Sequence, residues 1–310
     1  MKTSIVIPNY KNKEGVVRAL GLCARQEGIS FENLEIIIVN DGEESWFDVV
    51  GNSKETNKLQ INIINQKRTG VAGARNSGIN NSKGEIILFL DCDCVPSVNW
   101  VKQMLLSFCS DKGIDGVAGK IIPLIKKKSL VNSYFNATNR LGEPIIENSK
   151  IVGIITANSG FRKDSIKSIG GFNSRVFDKN VHGGEDIDLT MRLNAANLRL
   201  AYNSDALVCH EYPYSLKSIF KKYYHYGKGL ALACLSNGVE PSSIRQPSYS
   251  AKDIFKYFFM VFSKIKSDFH IFRKENIGIF QSSLFCLFES IRRTCHLVGF
   301  MRVLSNRNNK

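Results

Sequence analysis

Leu88-Phe-Leu-Asp-Cys-Asp-Cys94 decides the fold, because an apolar run halts there at two carboxylates one residue apart. Ile86 and Ile87 extend the run, so residues 86–90 read as a fully buried strand. Alternation along an extended chain sends Asp91 and Asp93 to one side and Cys92 and Cys94 to the other. The carboxyl ends of strands in a parallel α/β sheet form the ligand crevice, which puts this pair where a hard divalent cation and a diphosphate are held. Capping or solvated acids in a loop give the same three-residue pattern, so the surrounding sequence has to discriminate.

Apolar runs at 4–7, 34–39, 61–64 and 86–90 alternate with segments of helical character, including 14–26 and 71–80. That rhythm predicts βαβ units and a mainly parallel nucleotide-binding sheet flanked by helices. Residues 117–122 read as a further strand, followed by the basic turn Lys126-Lys-Lys128 and an irregular stretch to about 151. Residues 154–161 are strand-like, 163–169 a short helix, Gly170-Gly-Phe-Asn173 a turn, and 206–209 a strand ended by His210. Beyond about residue 250 the chain becomes helical and rich in Phe, Ile and Leu with interspersed Lys and Arg.

With 310 residues the chain is long enough for a large core and an enzyme's active site. Its 42 Lys and Arg against 28 Asp and Glu, a formal charge of +14, call for an anionic partner: nucleotide, nucleic acid or acidic membrane. The eight cysteines include no C-x-x-C pair, which argues against a disulfide framework or tetrahedral zinc and for a reducing cytosol. The N-terminus enters a strand without a secretory h-region, and no run of about eighteen apolar residues is present for a membrane span.

Several other residues carry candidate chemistry. Pro8-Asn9-Tyr10 places an aromatic ring where a base can stack, and Asn40-Asp-Gly42 places Asp41 where it can accept hydrogen bonds from base or ribose. Asn-Asp-Gly is equally an ordinary turn. Gly70-Val-Ala-Gly-Ala-Arg-Asn-Ser-Gly78 opens a helix whose small residues permit close packing, with Arg75 able to meet phosphate or a neighbouring carboxylate. It is neither a P-loop nor a dinucleotide fingerprint.

Taken in order, Ser4-Ile-Val-Ile-Pro-Asn-Tyr10, Asn40-Asp-Gly42, Gly73-Ala-Arg-Asn-Ser-Gly-Ile79, Gly84 through Asp93, Gly170-Gly-Phe172, Gly184-Glu-Asp-Ile-Asp-Leu189 and His210 resemble the family 2 glycosyltransferases of the GT-A fold. The resemblance covers about residues 3–230. Asn40 departs from it, standing where the family often has a second Asp, and so does Cys94, which follows D-x-D where Asp or Asn is common.

The resemblance implies that Pro8, Tyr10 and Asp41 hold the nucleoside, that Arg75 lies in the donor pocket, and that Asp91 binds ribose or metal. It makes Asp93 the principal ligand of a divalent metal, Mn²⁺ or Mg²⁺, with His210 a further ligand. Inverting sugar transfer needs a base for the acceptor hydroxyl, and Asp186 is the candidate, with Glu185 binding acceptor or orienting it. Acids opening a helix also merely complement its dipole. Asn158-Ser-Gly160 is expected to line the acceptor side.

The expected layout is a GT-A-like domain over 1–235, with a donor-binding half (1–120) and an acceptor and catalytic half (121–235), then a helical extension over 236–310. In that extension Phe255, Phe258, Phe259 and Phe262, then Phe280, Leu284, Leu287 and Ile291, recur at helical spacing. Residues 251–310 carry eleven Lys or Arg and four acids, which favours an interfacial helix on an anionic bilayer over core packing or a homodimer contact.

The expected function is transfer from a nucleotide diphosphate donor, most readily a UDP-sugar, to a glycan or lipid-linked acceptor in envelope polysaccharide or glycolipid synthesis. The expected location is the cytoplasm, including the cytoplasmic membrane face. A sugar-nucleotide nucleotidyltransferase would need a basic glycine-rich loop that residues 10–20 lack. A basic nucleic-acid-binding module would need a binding motif that is not found, so no nucleic acid is expected.

Overall fold

The computed structural model describes residues 1–42, 56–124, 129–138, 142–211, 215–239, 264–274 and 277–307. The basic turn at 126–128 and the aromatic residues Phe255, Phe258, Phe259 and Phe262 lie outside the described residues. The chain divides into two compact units: Met1–Lys126 with Arg140–Asn180 and Glu185–Glu211, and Lys127–Asn139 with Val181–Gly184 and Tyr212–Lys310.

The first unit is built on β1 (Thr3–Asn9), β2 (Leu34–Asp41), β3 (Gln60–Gln66), β4 (Ile86–Leu90), β5 (Cys94–Pro96), β6 (Gly116–Leu124), β9 (Asn158–Arg162) and β10 (Leu200–Glu211). Among the described residues these form one sheet in the order β3-β2-β1-β4-β9-β6-β10-β5. β3, β2, β1 and β4 run parallel, as does β10 beside β6, while β9 and β5 are antiparallel to their neighbours. The helices α1 (Lys13–Ala24), α2 (Val71–Asn81), α3 (Trp100–Ser110), α5 (Lys163–Ser168) and α6 (Glu185–Ala195) belong to the same unit. β1 and β4 are buried along their whole length, which is why they read as unbroken apolar runs.

Because β1, β2 and β3 are parallel, their carboxyl ends share one edge, and an asparagine ladder ties them together. Asn9 pairs with Asn40 and Asn40 with Asn65 in register. Asn9 Nδ2 donates to Asn40 Oδ1 (3.4 Å), and Asn40 Nδ2 donates to Asn65 Oδ1 (2.9 Å). Asn40 must accept on one side and donate on the other, which an ionised Asp cannot do. At the opposite edge a groove of about 280 Å³ is lined by residues including Thr3, Leu34, Leu105, Leu106 and Cys109.

Three sequence expectations need correction. The stretch expected to be irregular up to about 151 contains α4 (Leu130–Thr138) and the hairpin β7 (Ile145–Glu147) with β8 (Lys150–Gly153). Ile145 and Ile146 are each 53% exposed, so this hairpin lacks the half-buried pattern that announces a strand. The strand expected over 154–161 starts only at Asn158, after a turn closed by Asn158 N–H donating to the Ile155 carbonyl (3.2 Å).

Asn158 to Gly160, expected to line the acceptor side, are instead buried inside the sheet. Asn158 Oδ1 accepts from Trp100 Nε1 (2.8 Å), and its Nδ2 donates to the carbonyls of Lys120 and Ala206 (2.8 Å each). That amide bridges β6 and β10 where their register slips between Asn203 and Leu207, so its polar atoms are used on the fold.

The second unit contains α4, α7 (Leu216–Ser236), α8 (Ile265–Lys274) and α9 (Ile279–Arg307). α7 groups with the C-terminal helices because α7 and α9 touch backbone to backbone. A Cβ on Gly227 would lie 1.8 Å from the His296 carbonyl oxygen, and one on Gly299 would lie 1.9 Å from that of Tyr224. Glu289, fully buried on α9, accepts from the Tyr134 hydroxyl and pairs with Arg292 (2.9 Å) and Arg293 (3.3 Å). Asp268 of α8 pairs with Arg293 at 2.6 Å. The buried face of α9 is Phe285, Phe288, Phe300 and Leu304. Leu284 and Ile291 are half-buried and Phe280 and Leu287 exposed, so the stripe read from the sequence faces outward.

Candidate active site

The D-x-D segment does not continue the strand. β4 ends at Leu90, and Cys94 N–H donates to the Asp91 carbonyl (3.0 Å), closing a turn that sends the two aspartates to different partners. This corrects the expectation of an extended chain with both carboxylates on one side. β5 then pairs antiparallel with the end of β10, setting Cys94 opposite His210. His210 Nε2 comes to 3.6 Å from Asp93 Oδ1, and one ligand atom each from Asp93, Cys94 and His210 lie within 4.8 Å of one another. His210 Nδ1 sits 2.6 Å from the Glu211 carbonyl oxygen, which can only accept, so Nδ1 carries the proton and Nε2 is presented towards Asp93.

The donor set tests whether a cation fits. Cys94 is fully buried, and burial, reinforced by Asp93 and Asp91, holds its thiol protonated well above the usual thiol range. The group therefore offers a carboxylate oxygen and an imidazole nitrogen beside a neutral thiol. Asp93 and His210 could hold a divalent cation between them, with the Cys94 sulfur beside it. Asp91 is turned elsewhere.

Arg75 explains that turn. Its Nη2 donates to Asp91 Oδ1 at 3.0 Å and its Nη1 to Glu185 Oε1 at 2.8 Å, with the guanidinium side chain only 3% exposed. Burial disfavours the charge, but Asp91 and Glu185 outweigh it and hold the guanidinium more firmly protonated than in water. Arg75 thus joins the end of β4 to the start of α6, meeting carboxylates rather than presenting itself to phosphate. Its neighbour Asn76 grips both backbone polar groups of Phe172, donating to its carbonyl and accepting from its N–H (2.8 Å each). Gly78 of the same motif packs so closely on Val6 that a Cβ would lie 2.3 Å from its Cγ1.

α6 opens with Glu185, Asp186 and Asp188. Asp188 is fully buried and paired with Arg192 (2.8 Å), whose Nη1 donates to the carbonyls of Ile169 and Gly171 (2.9 and 2.7 Å). That acid is structural. Asp186 is half-buried, and its Oδ1 accepts from the N–H of Ile187 (2.9 Å). Enclosure by the protein, then the neighbouring Glu185, pushes its carboxyl up to about 7, against the opposing pull of Arg75. A carboxyl raised towards neutral pH and still partly open to solvent matches what a general base requires.

At the neighbouring strand ends, Tyr10 is 42% exposed and Pro8 is buried in β1. The Arg68 guanidinium lies 4.3 Å from the Tyr10 ring centroid. Arg68 was missed in the sequence, where it sits outside the glycine-rich motif and makes no pattern with Tyr10. Asp41 is buried and occupied: Oδ1 accepts from Thr69 N–H (2.7 Å), Gln66 Nε2 (2.8 Å) and Thr69 Oγ1 (3.0 Å), and Oδ2 from Gly70 N–H (2.8 Å). It shapes the loop carrying Arg68, leaving Oδ2 as the oxygen with spare accepting capacity.

Residues 4–170 match the family described as Glycosyl transferase family 2. The pre-mycofactocin glycosyltransferase of Mycobacterium tuberculosis is 28% identical over 254 residues, covering 80% of this chain and 49% of that protein. The chain thus spans about half the length of that relative. Among solved structures, mannosyltransferase PcManGT from Pyrobaculum calidifontis, in complex with GDP-Man and Mn²⁺, superposes with a TM-score of 0.60 at 12% identity over 98% of this chain and 87% of that one. S. aureus TarS 1-349 in complex with UDP superposes with a TM-score of 0.55 at 16% identity over 100% of this chain and 92% of that one. These two likenesses establish the GT-A fold.

Proposed function

The chain belongs to glycosyl transferase family 2, and from that premise we propose that it moves a sugar from a nucleoside diphosphate donor to an acceptor hydroxyl with inversion at the anomeric carbon. The observation that carries this reading is the geometry at the start of α6, where the half-buried Asp186 stands beside a Glu185 that Arg75 ties to the D-x-D turn, and enclosure raises the Asp186 carboxyl. The acceptor O–H gives its proton to the Asp186 carboxylate as its oxygen bonds to the anomeric carbon. The bond from that carbon to the diphosphate oxygen breaks, and the diphosphate leaves with the electron pair. Arg75 Nη1 holds Glu185 Oε1 at 2.8 Å, so Glu185 is fixed in place to orient the acceptor side while Asp186 takes the proton. Asp93 and His210 would hold a divalent cation, which would supply charge neutralisation for the diphosphate.

The donor we propose is a UDP-sugar, a reading supported by the UDP bound to TarS, with the GDP-Man of PcManGT as the competing nucleotide. Tyr10 with Arg68 forms the platform for the base. The acceptor we propose is a glycan or lipid-linked hydroxyl in envelope polysaccharide or glycolipid assembly.

Thermal shift with a panel of nucleotide sugars, with and without Mn²⁺, tests donor and cation together, since a ligand that binds only the native state stabilises it by RT ln(1 + [L]/Kd). Asp93→Asn should abolish the Mn²⁺-dependent part of the shift while leaving the melting transition intact. With the donor known, single-turnover transfer by Asp186→Asn should fall by roughly 10²- to 10⁴-fold at near-normal donor affinity. A larger loss in Glu185→Gln would move the base to Glu185. Small losses in both would reduce the pair to dipole complements.

A further inference from the structure

The hairpin of α8 and α9 has an inner face that is full and an outer face that is apolar. Inside, Phe272 packs on Phe285 with ring centroids 5.4 Å apart, and Ile277 N–H donates to the Phe272 carbonyl (3.2 Å) to close the turn. Outside, at that same turn, Ile271 is 53%, Ile279 66% and Phe280 81% exposed. Spacings of seven and eleven residues return to one side of a helix, so Phe280, Leu287 and Val298 fall on a single stripe of α9. Leu287 and Val298 are each 52% exposed. Scattered apolar residues on a surface need no explanation, but adjacent exposed residues at a tip that continue into a stripe do.

Cations flank this apolar surface. Lys264, Lys266, Arg273 and Lys274 are all exposed, Arg273 and Lys274 at the tip itself. Among the described residues of the hairpin tip no acid is exposed beside these cations: Asp268 of α8 is buried against Arg293, and Glu275 lies outside the described residues. Among the described residues no helix is long and apolar enough to cross a membrane.

We propose that the α8–α9 hairpin is a membrane-surface element that lies on an anionic bilayer, Ile271, Ile279 and Phe280 entering the interface while Arg273 and Lys274 engage lipid phosphates. An apolar tip with Arg273 and Lys274 beside it complements that surface in both polarity and charge. The inference is independent of the reaction assigned above, because none of these residues touches the carboxylate site.

Co-sedimentation of the full chain with vesicles tests it, using phosphatidylcholine alone and phosphatidylcholine mixed with phosphatidylglycerol. The expected result is binding to the mixed vesicles that weakens with added salt and is far lower on phosphatidylcholine alone. Ile279→Ser with Phe280→Ser should weaken partition at least tenfold, since about 0.8 kcal/mol is lost per methylene-sized group withdrawn from the apolar phase. Arg273→Gln with Lys274→Gln should cost roughly fivefold per cation removed, and only on anionic vesicles. Both pairs are exposed, so unchanged melting curves certify the variants as folded. Full-strength binding by the Ser pair, equal binding to both vesicle types, or no binding by the unaltered chain would each overturn the proposal. So would a concentration-dependent dimer in light scattering that the Ser pair dissolves, because the apolar face would then belong to a second copy.

Discussion

Replacing Asp186 by Asn should stabilise the protein above neutral pH while disabling transfer. In the unfolded chain the Asp186 carboxyl ionises near the ordinary aspartate value of 3.8, and in the folded protein only near 7. Between those values the folded state binds a proton that the unfolded state does not, so stability falls as pH rises through the window and levels off above about 7. The gap between those two values, at about 1.4 kcal/mol per tenfold change in proton affinity, sets a ceiling of roughly 4 kcal/mol. Asp186 is only half-buried, so solvent screening reduces this to about 1–2 kcal/mol. Asn keeps the shape and the oxygen that accepts from Ile187 N–H, and it cannot ionise. The expected gain in Tm is roughly 3–6 °C at pH 8, shrinking as pH falls and vanishing near pH 4. Differential scanning fluorimetry of both proteins from pH 4 to 8, in chelator to remove bound cations, measures it. A gain that does not vary with pH, or a loss at pH 8, would refute the placement of an ionised carboxylate in an unfavourable enclosure.

Arg75→Met should cost about 3–5 kcal/mol in urea unfolding, because it leaves Glu185 buried without its counter-charge. Arg75→Lys should recover little, since one ammonium cannot reproduce the fork that reaches both Asp91 and Glu185. Asn158→Ala should cost about 3 kcal/mol by stranding Trp100 Nε1 and the carbonyls of Lys120 and Ala206, yet leave acceptor KM unchanged in the folded protein, whereas an acceptor-lining Asn158 would raise it.

The parallel strands were legible because burial on both faces turns them into continuous apolar runs, as in β4. The same reading missed β7, whose isoleucines face water, and the true start of β9, which depends on a turn rather than on hydrophobicity. The carboxylates were legible as chemistry but not as geometry. Asp91 and Asp93 look equivalent along the chain, and what separates them is a turn plus an arginine 16 residues away that also reaches Glu185, 110 residues away. Asn158 was misread because its residue type suits a binding surface as well as an internal bridge, and only a bulge between β6 and β10 decides which. Arg68 left no trace because its partner, Tyr10, comes from a different strand end.

The distribution of thiols makes the chain a ready-made spectroscopic specimen. Cys109, on α3 beside the groove at the amino edge of the sheet, is exposed, and the other seven cysteines are buried or half-buried. Burial also pushes all seven of those thiols up, and Cys92, between the two aspartates, reaches about 12. Since the thiolate is the nucleophile, a short maleimide reaction near neutral pH should mark one position without any engineered substitution. The dye would stand at the sheet edge opposite Asp93 and Asp186, free to report on substrate encounter by resonance energy transfer without occupying the chemistry.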